Sequence, residues 1–135
     1  MRTLLPEGWP RPKGYANGIE CSGRLVFVAG QVGWNTQMRF EAQDFSGQFR
    51  QALLNTLAVL NEAAAGSQHI VRMTWFITDR QEYLEAQDRL GATWKELMGR
   101  HYPAMSVVIV NGLVEREAKL EIETTAVVPH PESAR

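Results

Sequence analysis

Ala118-Lys119-Leu120-Glu121-Ile122-Glu123-Thr124-Thr125-Ala126-Val127-Val128 alternates in character, with Leu120, Ile122, Ala126 and Val128 on one side and Lys119, Glu121, Glu123 and Thr125 on the other. A period of two marks a half-buried strand, because successive side chains of an extended chain point to opposite faces. Glu121 and Glu123 then share the polar face, with Cα atoms about 7 Å apart. Paired charges on an alternating strand ordinarily form a solvated face. Where such a face meets another subunit, a partly desolvated carboxyl group can serve as acid and base.

Working outward, Met105–Val110 reads as the preceding strand, and Pro103 prevents the helix before it from running on. That helix shows its buried stripe at Tyr83, Ala86, Leu90, Trp94 and Leu97, with a capping box in Thr78/Gln81 or Asp79/Glu82. Ile70–Thr78 has period two again, with Val71, Met73, Trp75 and Ile77 opposite Arg72, Thr74 and Thr78. Phe45, Phe49, Leu53, Leu57, Leu60 and Ala64 recur at helical spacing, started by Asp44 or Ser46 and ended near Gly66. After the loop Gln31–Gln43 is accounted for, Gly18–Cys21 and Arg24–Val28 remain, joined by Ser22-Gly23 in the manner of a β-hairpin.

The expected order is ββαβαββ, an α+β two-layer sandwich with two helices on one face of a mixed sheet. Residues 1–13, with Pro6, Pro10 and Pro12, read as an extended arm, 14–128 as a single domain, and 129–135 as a polar tail. The second sheet face must carry Ile70, Phe76, Val107 and Ile109 or their alternates, and an apolar patch left there is an association surface.

A chain of 135 residues with Cys21 as its one cysteine needs no disulfide. It shows no basic stretch followed by the roughly 7 to 15 apolar residues of a signal peptide. These features suggest a reducing, cytoplasmic setting. No apolar run approaches the roughly 20 residues of a membrane span. A net charge of -1, with scattered basic residues, leaves no footprint for nucleic acid. His69, His101 and His130 have no partner at ligand spacing, so no metal is expected. No G-x-S-x-G and no phosphate-cradling loop is present.

The residues Gly14-Tyr15, Val28-Ala29-Gly30-Gln31, Gln51-Ala52-Leu53-Leu54-Asn55 through Ala65-Gly66, Pro103-Ala104 and Leu120-Glu121-Ile122-Glu123 occur in this order. Together they resemble the RidA family, also called YjgF and, in older naming, endoribonuclease L-PSP, over about Tyr15 to Val128. The resemblance implies a chorismate-mutase-like homotrimer with clefts between subunits. In the family those clefts hydrolyse reactive imines or enamines of amino acids to 2-oxo acids and ammonia, without a cofactor. It also implies that Glu121 positions or activates water, and that an arginine directly after Pro-Ala grips the substrate carboxylate.

Tyr15, Gly30 and Glu121 keep the family pattern, but Met105 stands where the arginine belongs. A thioether offers no charge-assisted hydrogen bond, which is a loss of about 1.5 to 3 kcal/mol, or roughly tenfold to over a hundredfold. Ala29, Gln87 and Val107 replace the family's frequent serine, asparagine and cysteine. The chain is therefore placed with arginine-lacking members, with Glu121 as the catalytic residue and Tyr15, Gly30, Gln87, Met105 and Val107 as the substrate-binding set. The expected function is hydrolysis or deamination of an imine-like small molecule lacking an essential carboxylate. The alternatives are a trimeric module that binds a small ligand without catalysis and, least supported by the charge, a ribonuclease or translation inhibitor. Arg39, Arg72 and Arg100 are the cations that could replace the lost anchor, and Trp34 could line the cleft.

Overall fold

The alternating stretch folds as a long strand, Leu120–Val128, inside a four-stranded sheet. The computed structural model describes residues 1–131. In chain order the elements are β1 (Arg2–Leu4), β2 (Gly18–Glu20), β3 (Arg24–Val32), α1 (Phe45–Glu62), a 3-10 turn (Ser67–His69), β4 (Ile70–Ile77), α2 (Arg80–Glu85), α3 (Gln87–Met98), β5 (Ala104–Ile109) and β6 (Leu120–Val128). Residues 132–135 of the expected polar tail lie outside the described residues.

The main sheet runs β3-β6-β4-β5. β6 is antiparallel to both its neighbours and β4 is parallel to β5, which makes the sheet mixed. α1 packs over β3 and β6 and against α3, on one sheet face. Phe49, Leu53 and Leu60 of α1, Met73 and Ile77 of β4, and Leu120 and Ile122 of β6 are fully buried between the layers. Each such side chain contributes roughly 1.5–3 kcal/mol of burial free energy. Among the described residues no helix is long and apolar enough to cross a membrane.

The expected hairpin through Ser22-Gly23 does not form. β2 pairs with β1 in a separate two-stranded sheet, and β3 pairs with β6. Gly23, at φ 150°, serves a close approach: a Cβ there would lie 2.9 Å from the Val128 carbonyl carbon. The second expected helix is divided into α2 and α3 at Ala86, where φ/ψ is -91°/0°. α1 ends at Glu62 rather than near Gly66. Ala64, at φ 54°, takes the left-handed position, and Ala65 N–H reaches back to Leu60 C=O at 3.0 Å.

The second sheet face takes Phe76, as expected, and at the other positions the alternates. Ile70 is core, and Val107 and Ile109 sit in register with Trp75 and Ile77 on the helix side. Their alternates supply the open face, where Phe76 pairs with Val108 and with Glu121. Leu25 and Phe27 of β3 add apolar surface at 60% and 73% exposure.

Candidate functional site

Four of the six site residues expected from sequence line one recess of about 250 Å³: Tyr15, Gln87, Met105 and Val107. Met105 and Val107 pair with Met73 and Trp75 across the parallel β4/β5 ladder, so both point to the helix side, where α3 forms the opposite wall. The arm closes the third side. Ala16 N–H donates to Pro103 C=O at 2.9 Å, and Ala16 bridges to Ala104 at the start of β5. Gly14 turns at φ 78°, a conformation that costs glycine little, and its neighbours Lys13 and Tyr15 both border the recess. The Gln87 amide donates to Tyr83 C=O at 2.9 Å, tying the start of α3 back to α2.

The recess is more aromatic than its sequence pattern suggested. Trp75 lies between Tyr83 and Trp94, with ring centroids 6.4 and 6.2 Å away. Tyr102 stacks on Trp94 at 6.0 Å with an 8° tilt. The Trp94 indole donates to His101 C=O at 3.1 Å, which holds the segment carrying Tyr102. Trp75 is only 5% exposed, and its indole N–H has no acceptor among the described residues. A buried donor left open costs about 1–3 kcal/mol. In the sequence, Trp75, Tyr83 and Trp94 read as core, while Lys13 and Tyr102 carried no signal beyond their place beside Tyr15 and Pro103.

The other two expected residues lie elsewhere. The β3/β6 register slips between Val28 and Gln31, leaving Ala29 and Gly30 as a bulge beside Glu121. Glu121 is half-buried. A Cβ on Gly30 would come within 2.7 Å of the Glu121 carboxyl carbon, so this position is kept bare where the carboxylate lies. Among the described residues the ion pairs are Arg2–Glu20, Arg50–Glu96 and Lys119–Glu82, and none involves Glu121.

α1 holds this region. The Asn55 amide donates to Val32 C=O at 3.1 Å and to Trp34 C=O at 2.8 Å, while Gln51 donates to the Asn55 oxygen at 2.8 Å. Gln48, fully buried, donates to Glu117 C=O at 2.9 Å and accepts from Lys119 N–H at 2.8 Å, fixing the entry to β6. Asp44 starts α1. Its carboxylate accepts from the Ser46 hydroxyl at 2.8 Å and from Gly47 N–H at 3.1 Å, and these bonds, Ser46 foremost, lower its pKa.

The two groups do not meet within one chain. Met105 and Glu121 sit on strands separated by β4 and point to opposite faces. Of the alternative cations, Arg72 lines a neighbouring hollow of about 140 Å³ together with Met105 and Tyr15. Arg100 borders another with His101 and Tyr15. Arg39 lies by Met38 and Phe40, outside the recess, and Trp34 leans on Phe40 at 5.9 Å rather than on Met105.

Residues 10–128 match the family described as Endoribonuclease L-PSP. A RutC family protein of Aquifex aeolicus is 32% identical over 128 residues, covering 94% of this chain and 99% of that protein. A 2-iminobutanoate/2-iminopropanoate deaminase of Salmonella typhimurium is 31% identical over 130 residues, covering 93% and 97%. Among solved structures, the Rid-family protein YyfB of Yersinia pestis superposes with a TM-score of 0.83 at 28% identity, covering 94% and 98%. With the match over residues 10–128 spanning the four-stranded sheet and its helices, the chain belongs to the Endoribonuclease L-PSP family, also called the RidA/YjgF family, whose members include imine deaminases.

Proposed function

We propose that this protein hydrolyses a reactive imine or enamine of a small metabolite in clefts between the copies of a cytoplasmic homotrimer. Glu121 of one copy would face the Tyr15–Met105 recess of another. The observation that carries this reading is the Glu121 carboxylate, left without an ion pair among the described residues and cleared by the bare Gly30. It stands on a sheet face whose exposed Phe27 and Leu25 favour association. The deaminase relative at 31% identity supports the reaction class.

The chemistry asks little else. The carboxylate takes a proton from water as its oxygen attacks the C=N carbon, and returns that proton to nitrogen. Collapse of the resulting carbinolamine forms C=O and breaks C–N, so one imine and one water give one carbonyl compound and one ammonia. An enamine first gains a proton on carbon and loses one from nitrogen to become the imine.

With Met105 in the anchor position, imines of small aliphatic amino acids are turned over slowly. Imines generated in place by an amino-acid oxidase, with release of 2-oxo acid followed over time, provide the test. Met105→Arg raises the rate on these substrates, and Glu121→Ala lowers it by about 100-fold or more. Brisk wild-type turnover of such imines, unaffected by Glu121→Ala, would refute the reading. The apolar lining of the recess favours one alternative, a trimeric module that captures its ligand without catalysis. That alternative calls for ligand binding unchanged by Glu121→Ala and no turnover in the wild type.

A further inference from the structure

We propose that the recess selects ring-bearing acids, taking the imine or enamine of an aromatic 2-oxo acid with its ring on the aromatic wall and its carboxylate on Lys13. The inference rests on the hydrolase reading for turnover, while its binding component stands apart from it. Trp75, Tyr83, Trp94, Tyr102 and Tyr15 line the recess, and with Tyr15 42% and Tyr102 41% exposed, aromatic surface is available to a planar ring. At about 250 Å³ the recess has room for one ring with a short chain.

Charge decides between ligand types. Aromatic faces also attract cations. Here, however, among the described residues of the same copy no Asp or Glu lines the recess, and Lys13 is the one charged side chain that does. Lys13 joins no ion pair among the described residues. An apolar body with an anionic end therefore suits the side of the recess that carries Lys13. The Gly14 turn and the Ala16–Pro103 hydrogen bond hold the segment that carries Lys13, so its charge enters the recess from the arm rather than from β5, where the resemblance places the arginine. It is a specificity residue of a different origin from the one it replaces.

Isothermal titration of the full chain with 2-oxo acids, the stable products of imine hydrolysis, tests this directly. Phenylpyruvate binds at least about tenfold more tightly than pyruvate, reflecting burial of the ring. Lys13→Gln weakens phenylpyruvate about threefold to fivefold, as an exposed ion pair does, and leaves the neutral ring compound phenylacetone unchanged. Gly91→Leu fills the recess from α3, where an added Cβ meets nothing within 4 Å, and removes binding of both ring compounds.

Equal affinity for pyruvate and phenylpyruvate, or no binding of phenylpyruvate, overturns the proposal. So does an unchanged affinity in Lys13→Gln alongside a loss in Arg72→Gln, which would move the anchor to the neighbouring hollow. The two readings fail separately. Tight phenylpyruvate binding without imine turnover sinks the hydrolase and keeps the ring-acid site. Glu121-dependent turnover with no preference for rings does the reverse.

Discussion

The recess beside β5 and the bulge beside β6 are built from opposite materials. The recess is a wall of aromatic side chains shared with the core, Trp75 and Trp94 among them, with Lys13 of the arm as the one cation among the described residues that line it. The bulge is nearly empty: a bare glycine, a half-buried carboxylate, and an open face beyond. Under the proposed function the first region would hold the substrate and the second would supply the carboxylate that activates water. The sheet register turns Met105 and Glu121 to opposite faces, so on that reading a site needs two copies.

The contrast can be sharpened at the bulge first. Gly30→Ala pushes a methyl group into the space of the Glu121 carboxylate, so imine turnover falls about tenfold or more while binding of ring acids stays within twofold or so. Steady-state rates and titration on the same preparation check this. Equal losses in both would mean that the two regions are not separable.

Support from α1 comes next. Gln48→Ala leaves Lys119 N–H and Glu117 C=O without their buried partner, at a cost of about 2–3 kcal/mol in denaturant unfolding. The entry to β6 loosens before the recess does, so protection against hydrogen exchange drops at Lys119–Ile122 more than in α3.

The smallest effect belongs to the cap. Asp44→Ala costs about 1 kcal/mol near neutral pH. The Asp44 carboxyl has a lowered pKa in the folded chain, so its contribution is complete above the unfolded value, near 4, and disappears as pH falls through the lower folded value. Unfolding curves of Asp44→Ala and wild type should therefore converge on acidification below about pH 4. A difference that persists in strong acid would assign the cap's effect to something other than the charged carboxylate.

Much of the fold was legible because it is local. Period two made β4 and β6 readable, the three-to-four spacing of Phe45, Phe49, Leu53 and Leu60 made α1 readable, and Asp44 and Asp79, each one of two candidates in the sequence, are the N-caps. What was not legible depends on partners distant in sequence. Nothing near Ser22-Gly23 reveals that β2 joins Arg2–Leu4 while β3 joins β6. The parallel register that puts Val107 and Ile109 on the helix side is set by β4, which is why the sequence left the alternates for the second sheet face open.

The site divides in the same way. Alternation located Glu121 on a polar face, and the family resemblance supplied its role. Hydrophobic spacing cannot tell a core face from a cavity wall, which is why Trp75, Tyr83 and Trp94 read only as packing. Lys13 lies in a proline-rich arm with no periodicity at all, and only the Gly14 turn and the Ala16–Ala104 bridge bring it to Met105.

The central claim is that recess and carboxylate come from different copies of the chain. Co-expression of Gly91→Leu chains, whose recess is filled, with Glu121→Ala chains, whose carboxylate is gone, tests it most directly. Each variant alone should release no 2-oxo acid from imines above background. Randomly mixed assemblies should regain activity in roughly a quarter of their sites, as expected when each site draws its two halves from neighbouring subunits of a ring. Mixed assemblies as inactive as either parent, or a monomeric mass for the wild type, would contradict the account.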